Sequence, residues 1–253
     1  MTPPRRTAPL GLICAIPEEM GEFSPLFRQE GEERIAGFRF LNGLLDGQPV
    51  VMVEAGIGKV NAAVVGTLLL HHLGVRGLLF SGVAGGIDPS LAVGDVVIAD
   101  RLIQHDYGAL AGGALKPYQP GVPPLPGFDE RFGYPLADGL HDTIRAALAG
   151  LDLSPAPGAS RPAQWRFGTV LTGDHFLNCA RTRAGLFDRF QAQAIEMEGA
   201  ALAQVAARFG VPLVVVRALS DLAGEESHLD FPAFARNAAG NAARIIRRIA
   251  AVI

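Results

Sequence analysis

Apolar positions along this chain fall into short runs set apart by glycine and proline, and a helical period takes over in a few longer stretches. Leu10–Ile16 is a brief apolar run stopped by Pro17, as expected of a strand buried on both faces. Phe38–Leu45 and Pro49–Glu54 flank Asp46-Gly47, whose residues both tolerate positive φ, so the pair predicts a hairpin. Val60–Leu73 is apolar-rich and long enough for a helix, and Gly77–Phe80 and Asp95–Ile103 read as strands around the glycine-rich turn Ser81–Gly86. Leu140–Leu148 reads as a helix and Trp165–Leu171 as a strand. Met197–Phe209 places Ala201, Val205 and Phe209 on one helical face, and Gly210 ends it before the β-branched strand Val211–Leu219. In the terminal helix, Phe231–Ile253, an inward stripe of Phe234, Ala238, Ala242, Ile245 and Ile249 opposes Arg236, Asn237, Arg244, Arg247 and Arg248. Strands alternating with helices predict an α/β fold, its sheet covered on both faces, with antiparallel members from the hairpin.

From Ala109 to Leu136 the pattern dissolves among Gly112, Gly113, Pro117, Pro120, Pro123, Pro124 and Pro126. Ordinary α/β signals resume beyond it without a change in composition, so 109–136 reads as a large excursion from a single domain spanning 1–253. No internal repeat is visible.

Composition narrows the class. The 253 residues are 49% hydrophobic and 19% charged, which suits a packed core rather than a disordered chain. A formal charge of −3, from 22 basic and 25 acidic residues, leaves no general basic field for nucleic acid or anionic membrane. No apolar run approaches the ~18 residues of a membrane span. Arg5-Arg6 before the first apolar run superficially resembles a signal peptide, but the run passes straight into Pro17-Glu18-Glu19 without a small-residue cleavage pattern. It reads as a buried strand behind a ragged leader. Cys14 and Cys179 are too few for a disulfide framework, and a reducing cytoplasm is the expected compartment.

The turn Ala55-Gly56-Ile57-Gly58-Lys59-Val60 invites comparison with a P-loop, but Val60 has no oxygen for magnesium and the dinucleotide glycine spacing is missing. It is either a plain tight turn or one whose amides approach a ligand. The small residues of Ser81–Gly86 permit either a flat or sugar-like ligand or close helix packing. Carboxylates are more telling. Glu18 and Glu19 follow the first strand, Glu196 and Glu198 flank Met197 at a strand-to-helix junction, and Asp221 follows Arg217-Ala218-Leu219-Ser220. Strand ends of a parallel-type sheet converge on one crevice. There a protonated acid donates to a leaving group while an ionised one activates water, the division of labour of glycoside cleavage. No histidine spacing resembles a zinc site, and no nucleophile elbow or cysteine–histidine motif is present.

Taken together, these segments resemble the purine nucleoside phosphorylase/uridine phosphorylase-like superfamily, and within it the 5′-methylthioadenosine/S-adenosylhomocysteine nucleosidases. The resemblance is carried by Glu54–Ala63, Ser81–Gly86 with Val93-Gly94-Asp95, Thr172–Phe176, Glu196–Ala201 and Arg217–Asp221, joined by Ala15–Met20. It implies a three-layer domain with a mixed, largely parallel sheet, no cofactor or metal, and adenine release in the methionine salvage pathway. It also implies roles. Asp221 protonates N7 of adenine, Glu19 is general base on the attacking water, and Arg217 orients that end of the site. Glu198 and the Met197 backbone hold the ribose hydroxyls. Phe176 stacks on the purine and the Leu177 backbone reads its edge, with Val83, Ala84 and Gly85 alongside. Ile57 and Phe231 line the cleft for the 5′-thio group. The family further implies a homodimer whose partner reaches the 5′ pocket from the region after His105-Asp106.

Two departures bear on specificity: Val83 stands where the nucleosidases usually have Ser, and Tyr107–Leu110 with the long Gly/Pro stretch replaces the familiar sequence after His105-Asp106. The competing expectations are a hydrolase of another 5′-modified purine nucleoside such as futalosine, a phosphate-dependent phosphorylase, and a non-catalytic nucleoside binder. Pro17-Glu18-Glu19 stands where phosphorolytic relatives need a cationic glycine loop, and two carboxylates there repel phosphate.

Overall fold

A computed structural model describes residues 8–123, 132–224 and 227–253, with side chains in the last segment from 234 onward. In chain order the elements are β1 (Leu10–Cys14), α1 (Pro17–Gly21), β2 (Phe27–Ile35), β3 (Phe38–Leu45), β4 (Gln48–Glu54), α2 (Lys59–His71), β5 (Leu78–Gly86) and β6 (Val96–Gln104). They continue with β7 (Gly108–Ala111), β8 (Ala114–Pro117), β9 (Tyr134–Pro135), α3 (Leu140–Ala147), β10 (Trp165–Thr172) and α4 (Ala180–Phe190). The chain ends with β11 (Ala194–Glu196), α5 (Gly199–Phe209), β12 (Leu213–Asp221) and α6 (Ser227–Ala250).

Ten strands form one mixed sheet in the order β11-β10-β6-β12-β5-β1-β4-β3-β2, with β9 on β6. Parallel ladders join β4, β1, β5 and β12 and, separately, β6, β10 and β11. The two groups meet antiparallel at β12–β6. The predicted α/β fold and mixed sheet are present, but the sheet is not simply open. β11 also pairs antiparallel with β5 through Ala194↔Gly86 and Ile195↔Gly85, closing β5, β12, β6, β10 and β11 into a ring. The acids therefore do not converge as ends of one parallel sheet; the ring closure carries the end of β11 to the end of β5.

Strand period and helix faces set two large parts of the core, and a third, smaller cluster gathers Ile103, Leu171, Leu177 and Ile195. Leu10, Leu12 and Cys14 point to the side where Ala238, Ala242, Ile245 and Ile249 of α6 pack, whereas Ile13 points to α2 and α5. Gly66 of α2 lets Leu202 of α5 come within 2.8 Å of where a Cβ would stand, so these helices pack closely. Among the described residues, no helix is long and apolar enough to cross a membrane.

Several elements depart from expectation. Ser81–Gly86 is not a turn but the second half of β5, because β12 and β11 supply ladder partners on either side of it. Within the excursion, β7 and β8 form a hairpin about Gly112 and Gly113, both at positive φ, and Arg189 of α4 donates to Leu115 O at 3.0 Å. The sequence pattern does not predict strand β2 or helix α4, the strand expected before Glu196 is the short β11, and α6 begins at Ser227, before Phe231.

Candidate active site

The turn from β1 into α1 is where the site begins. Pro17 suits the first helical turn and leaves Glu19 buried while Glu18 faces solvent. Glu19 is enclosed by donors: Oε2 accepts from Ala15 N at 2.7 Å and Ile16 N at 3.3 Å, and Oε1 accepts from Val83 N at 3.0 Å. Burial pushes its pKa above the ordinary carboxylate range, opposed by Arg217 and by those three N–H groups.

Asp221 ends β12, buried. Its Oδ1 accepts from Ala223 N at 2.8 Å, and the Ser220 hydroxyl, which also reaches Ala84 O at 3.4 Å, lies 3.0 Å from Oδ2. Asp221 Oδ1 would stand only 3.0 Å from a Cβ at Gly85. The small residues of β5 thus make room for the protein's own functional side chains. Gly82 does the same for Arg217 and Glu19.

Arg217 is 1% exposed and stacks its guanidinium 3.8 Å from the centre of the Phe80 ring. Its Nη2 bonds Glu196 and lies 3.3 Å from Glu198 Oε2. Three neighbouring carboxylates hold the guanidinium charged although burial works against it. Arg217 stands behind the cavity wall and does not line it. Glu198, on the N-terminal side of α5, also accepts from Gly58 N at 2.8 Å. Burial, then the charge of Glu196, push its pKa up to about 7. The turn before α2 is thus not a phosphate cradle: its amides serve Glu198 and Asp174, and Lys59 Nζ is held by Asp106 at 2.7 Å and Asp174 at 3.4 Å.

One cavity of about 230 Å³ gathers these parts. Glu19, Ile57, Val83, Ala84, Gly85, Phe176, Leu177, Met197, Glu198 and Asp221, all singled out from the sequence, line it. Phe176 and Ile57 are 50% and 54% exposed at its edge. The Phe231 side chain lies outside the described residues. Sequence reasoning gives no role to Glu196, Ser220, His175, Ala15 or Ile16, all of which also line the cavity. Glu196 stands out in the sequence as an acid two residues before Glu198, but its partner Arg217 comes from a strand 21 positions away. Among the described residues, no Lys or Arg lines the cavity and no group of His, Cys, Asp and Glu could hold a metal.

Comparison with known proteins identifies the family of the chain. The model of the Phosphorylase superfamily matches residues 9–251. A 5′-methylthioadenosine/S-adenosylhomocysteine nucleosidase of Mycobacterium bovis is 43% identical over 248 residues, 96% of this chain and 97% of that protein. The same-named enzyme of S. pneumoniae, solved with the transition-state inhibitor MT-ImmA, superposes with a TM-score of 0.82 at 30% identity, covering 96% of this chain and 98% of that one. The futalosine hydrolase of Helicobacter pylori superposes with a TM-score of 0.83 at 26% identity, covering 98% and 99%.

Proposed function

This chain belongs to the 5′-methylthioadenosine/S-adenosylhomocysteine nucleosidases of the phosphorylase superfamily, and from that premise we propose that it is an N-ribosyl hydrolase releasing adenine from 5′-thioadenosines. One observation carries the reading: Glu19 and Asp221 border the same cavity, and among the described residues no Lys or Arg lines it. Phosphate as nucleophile needs cations to offset its charge. The Arg217 guanidinium behind the cavity wall is committed to Glu196 and Glu198. Water needs only a base.

In this reaction Glu19 takes a proton from water, and the water oxygen bonds to C1′ of the ribose. The C1′–N9 bond breaks, and its electrons pass into the purine as Asp221 gives a proton to N7. Burial makes Glu19 the stronger base, while the Ala15, Ile16 and Val83 amides keep it aimed. Ser220 and the Ala223 amide fix Asp221. Glu198 and the Met197 backbone hold the ribose hydroxyls, and negative charge there favours an oxocarbenium-like sugar. Phe176 stacks on the purine, the Leu177 backbone reads its edge, and Ala84 and Gly85 keep that wall thin. Ile57 faces the 5′-thio group, and Val83 replaces a hydroxyl near the water.

The same reading has the whole chain, 1–253, work as one domain in the cytoplasm, in methionine salvage, as a homodimer. Exposed Val60, Val64 and Ile57 at the start of α2, with Leu110 of the β7–β8 hairpin, supply apolar surface for a second copy. The likeness to futalosine hydrolase keeps a second substrate in view, since futalosine is also a 5′-modified purine nucleoside.

The test is adenine release from methylthioadenosine in phosphate-free buffer, with futalosine in parallel. Turnover of methylthioadenosine without phosphate is the expected result. Dependence on phosphate, or a large preference for futalosine in kcat/KM, overturns it.

A further inference from the structure

Glu196 closes β11 only 6% exposed, and both its oxygens are engaged. Oε2 accepts from Gly199 N at 2.7 Å and Glu198 N at 3.2 Å and also binds Arg217 Nη2. Oε1 takes the Thr172 hydroxyl, whose oxygen accepts from Ala200 N at 2.9 Å. Glu196 thereby serves as the anionic cap of α5, the role that Glu198, at the cap position itself, leaves open. Glu198 receives Gly58 N at 2.8 Å and the more distant side of the same guanidinium nitrogen, at 3.3 Å.

We propose that Glu196 is a positioning residue for ribose recognition: it draws Arg217 to itself and caps α5, so that Glu198 is free to turn its carboxylate toward the nucleoside. The inference rests on the reading that a nucleoside fills this cavity. With Glu196 absent, Arg217 would pair fully with Glu198 and the α5 amides would compete for the same carboxylate.

The charges around Glu198 give this arrangement a measurable signature. It is faced by Glu196 from β11, Arg217 and Asp221 from β12, and Glu19 from α1. The Gly58 amide stands before α2, and His175 borders the same cavity. Lys59 beside that amide is already matched by Asp106 and Asp174. Burial and Glu196 together bring the titration of Glu198 to about 7. Ribose hydroxyls donate, so their grip weakens once Glu198 takes a proton. A ligand lacking the ribose does not sense that proton.

The experiment is isothermal titration from pH 5 to 9 with a non-hydrolysable 5′-thioadenosine analogue and with adenine. It is run on the wild type, E196Q and E196D. In the wild type, analogue affinity is expected to fall about tenfold per unit below pH 7, with no such limb for adenine. E196Q shifts the limb at least one unit lower. E196D keeps the charge and leaves the limb in place, but its shorter reach loosens Arg217 and weakens analogue binding several-fold. A limb unmoved in E196Q, one shifted alike in E196D, or unweakened binding in E196D overturns the proposal. If E196Q does not fold, the E196D result decides. Failure of the wild type to bind either ligand overturns the nucleosidase reading itself, and this inference with it.

Discussion

Arg217 occupies the space that a side chain at Gly82 would need: a Cβ there would run into its Nη1 and come to 2.8 Å from Glu19 Oε1. A cation from β12 and an acid from α1 thus meet across a strand position where only hydrogen fits. Neither neighbour can retreat, since Arg217 is packed on Phe80 and bonded to Glu196, and Glu19 is held by three amides. Gly82→Ala is therefore expected to destabilise the protein by about 1–3 kcal/mol through overpacking and to lower kcat/KM at least tenfold. Thermal unfolding and adenine release on one preparation check both; a variant matching the wild type in both would show that the arginine has room to move.

Asp221→Asn removes the proton meant for N7 but keeps the side chain's size. The Ala223 amide can still donate to the retained oxygen, and the Ser220 hydroxyl can rotate to accept from the new amide. Turnover is expected to fall by about 10²–10⁴-fold while analogue affinity stays within a few-fold. Single-turnover kinetics beside equilibrium binding separates the two, and near-normal turnover would place the acid elsewhere.

Glu19→Gln differs in kind because the carboxylate accepts from donors on both oxygens. An amide turns its NH2 group either to Val83 N or to Ala15 and Ile16 N, setting donor against donor in a buried place. Loss of hydrolysis by about 10²-fold or more is expected together with a lower Tm. Full activity in this variant would require another base.

The site was more legible in the sequence than the scaffold that carries it. Acids beside glycine turns and strand ends mark themselves by residue type, so Glu19, Glu198 and Asp221 stood out and do share a cavity. Long-range partners leave no local sign. Nothing near Glu196 indicates that Arg217 will reach it, or that Gly82 and Gly85 are small for the sake of Arg217 and Asp221. Among the elements, β2 escaped notice because an edge strand with most side chains in solvent shows no apolar alternation, and α4 buries no residue fully. The second half of β5 looked like a turn because glycine disfavours strands on its own, and only β11 and β12 make it one. Conversely, α2 and α5 were readable from their apolar content, since each packs a broad apolar face between the sheet and the other helix.

Glu198 ties stability to pH. Its folded pKa of about 7 lies above the ordinary value of 4.5, so between these limits the folded chain holds a proton that the unfolded chain has released. Its contribution therefore falls as pH rises from about 4.5 to about 7 and is level above. His105 works the other way. Burial, and then His175, lower its pKa to about 4, and its Nε2 has no partner among the described residues. Its contribution falls as pH drops from 6.5 toward 4. The two slopes overlap, which makes the wild-type profile alone a poor reporter. Glu198→Gln removes one of them: the amide oxygen still accepts from Gly58 N, while the group stays neutral at every pH. The Tm of this variant minus that of the wild type is expected to be small at pH 5 and to grow through pH 7. Above pH 7 the Tm difference levels off, reflecting a stability advantage of about 1–3 kcal/mol for the variant, which also loses ribose-dependent affinity. A Tm difference that does not change with pH would mean that Glu198 is ionised throughout, with Arg217 neutralising it.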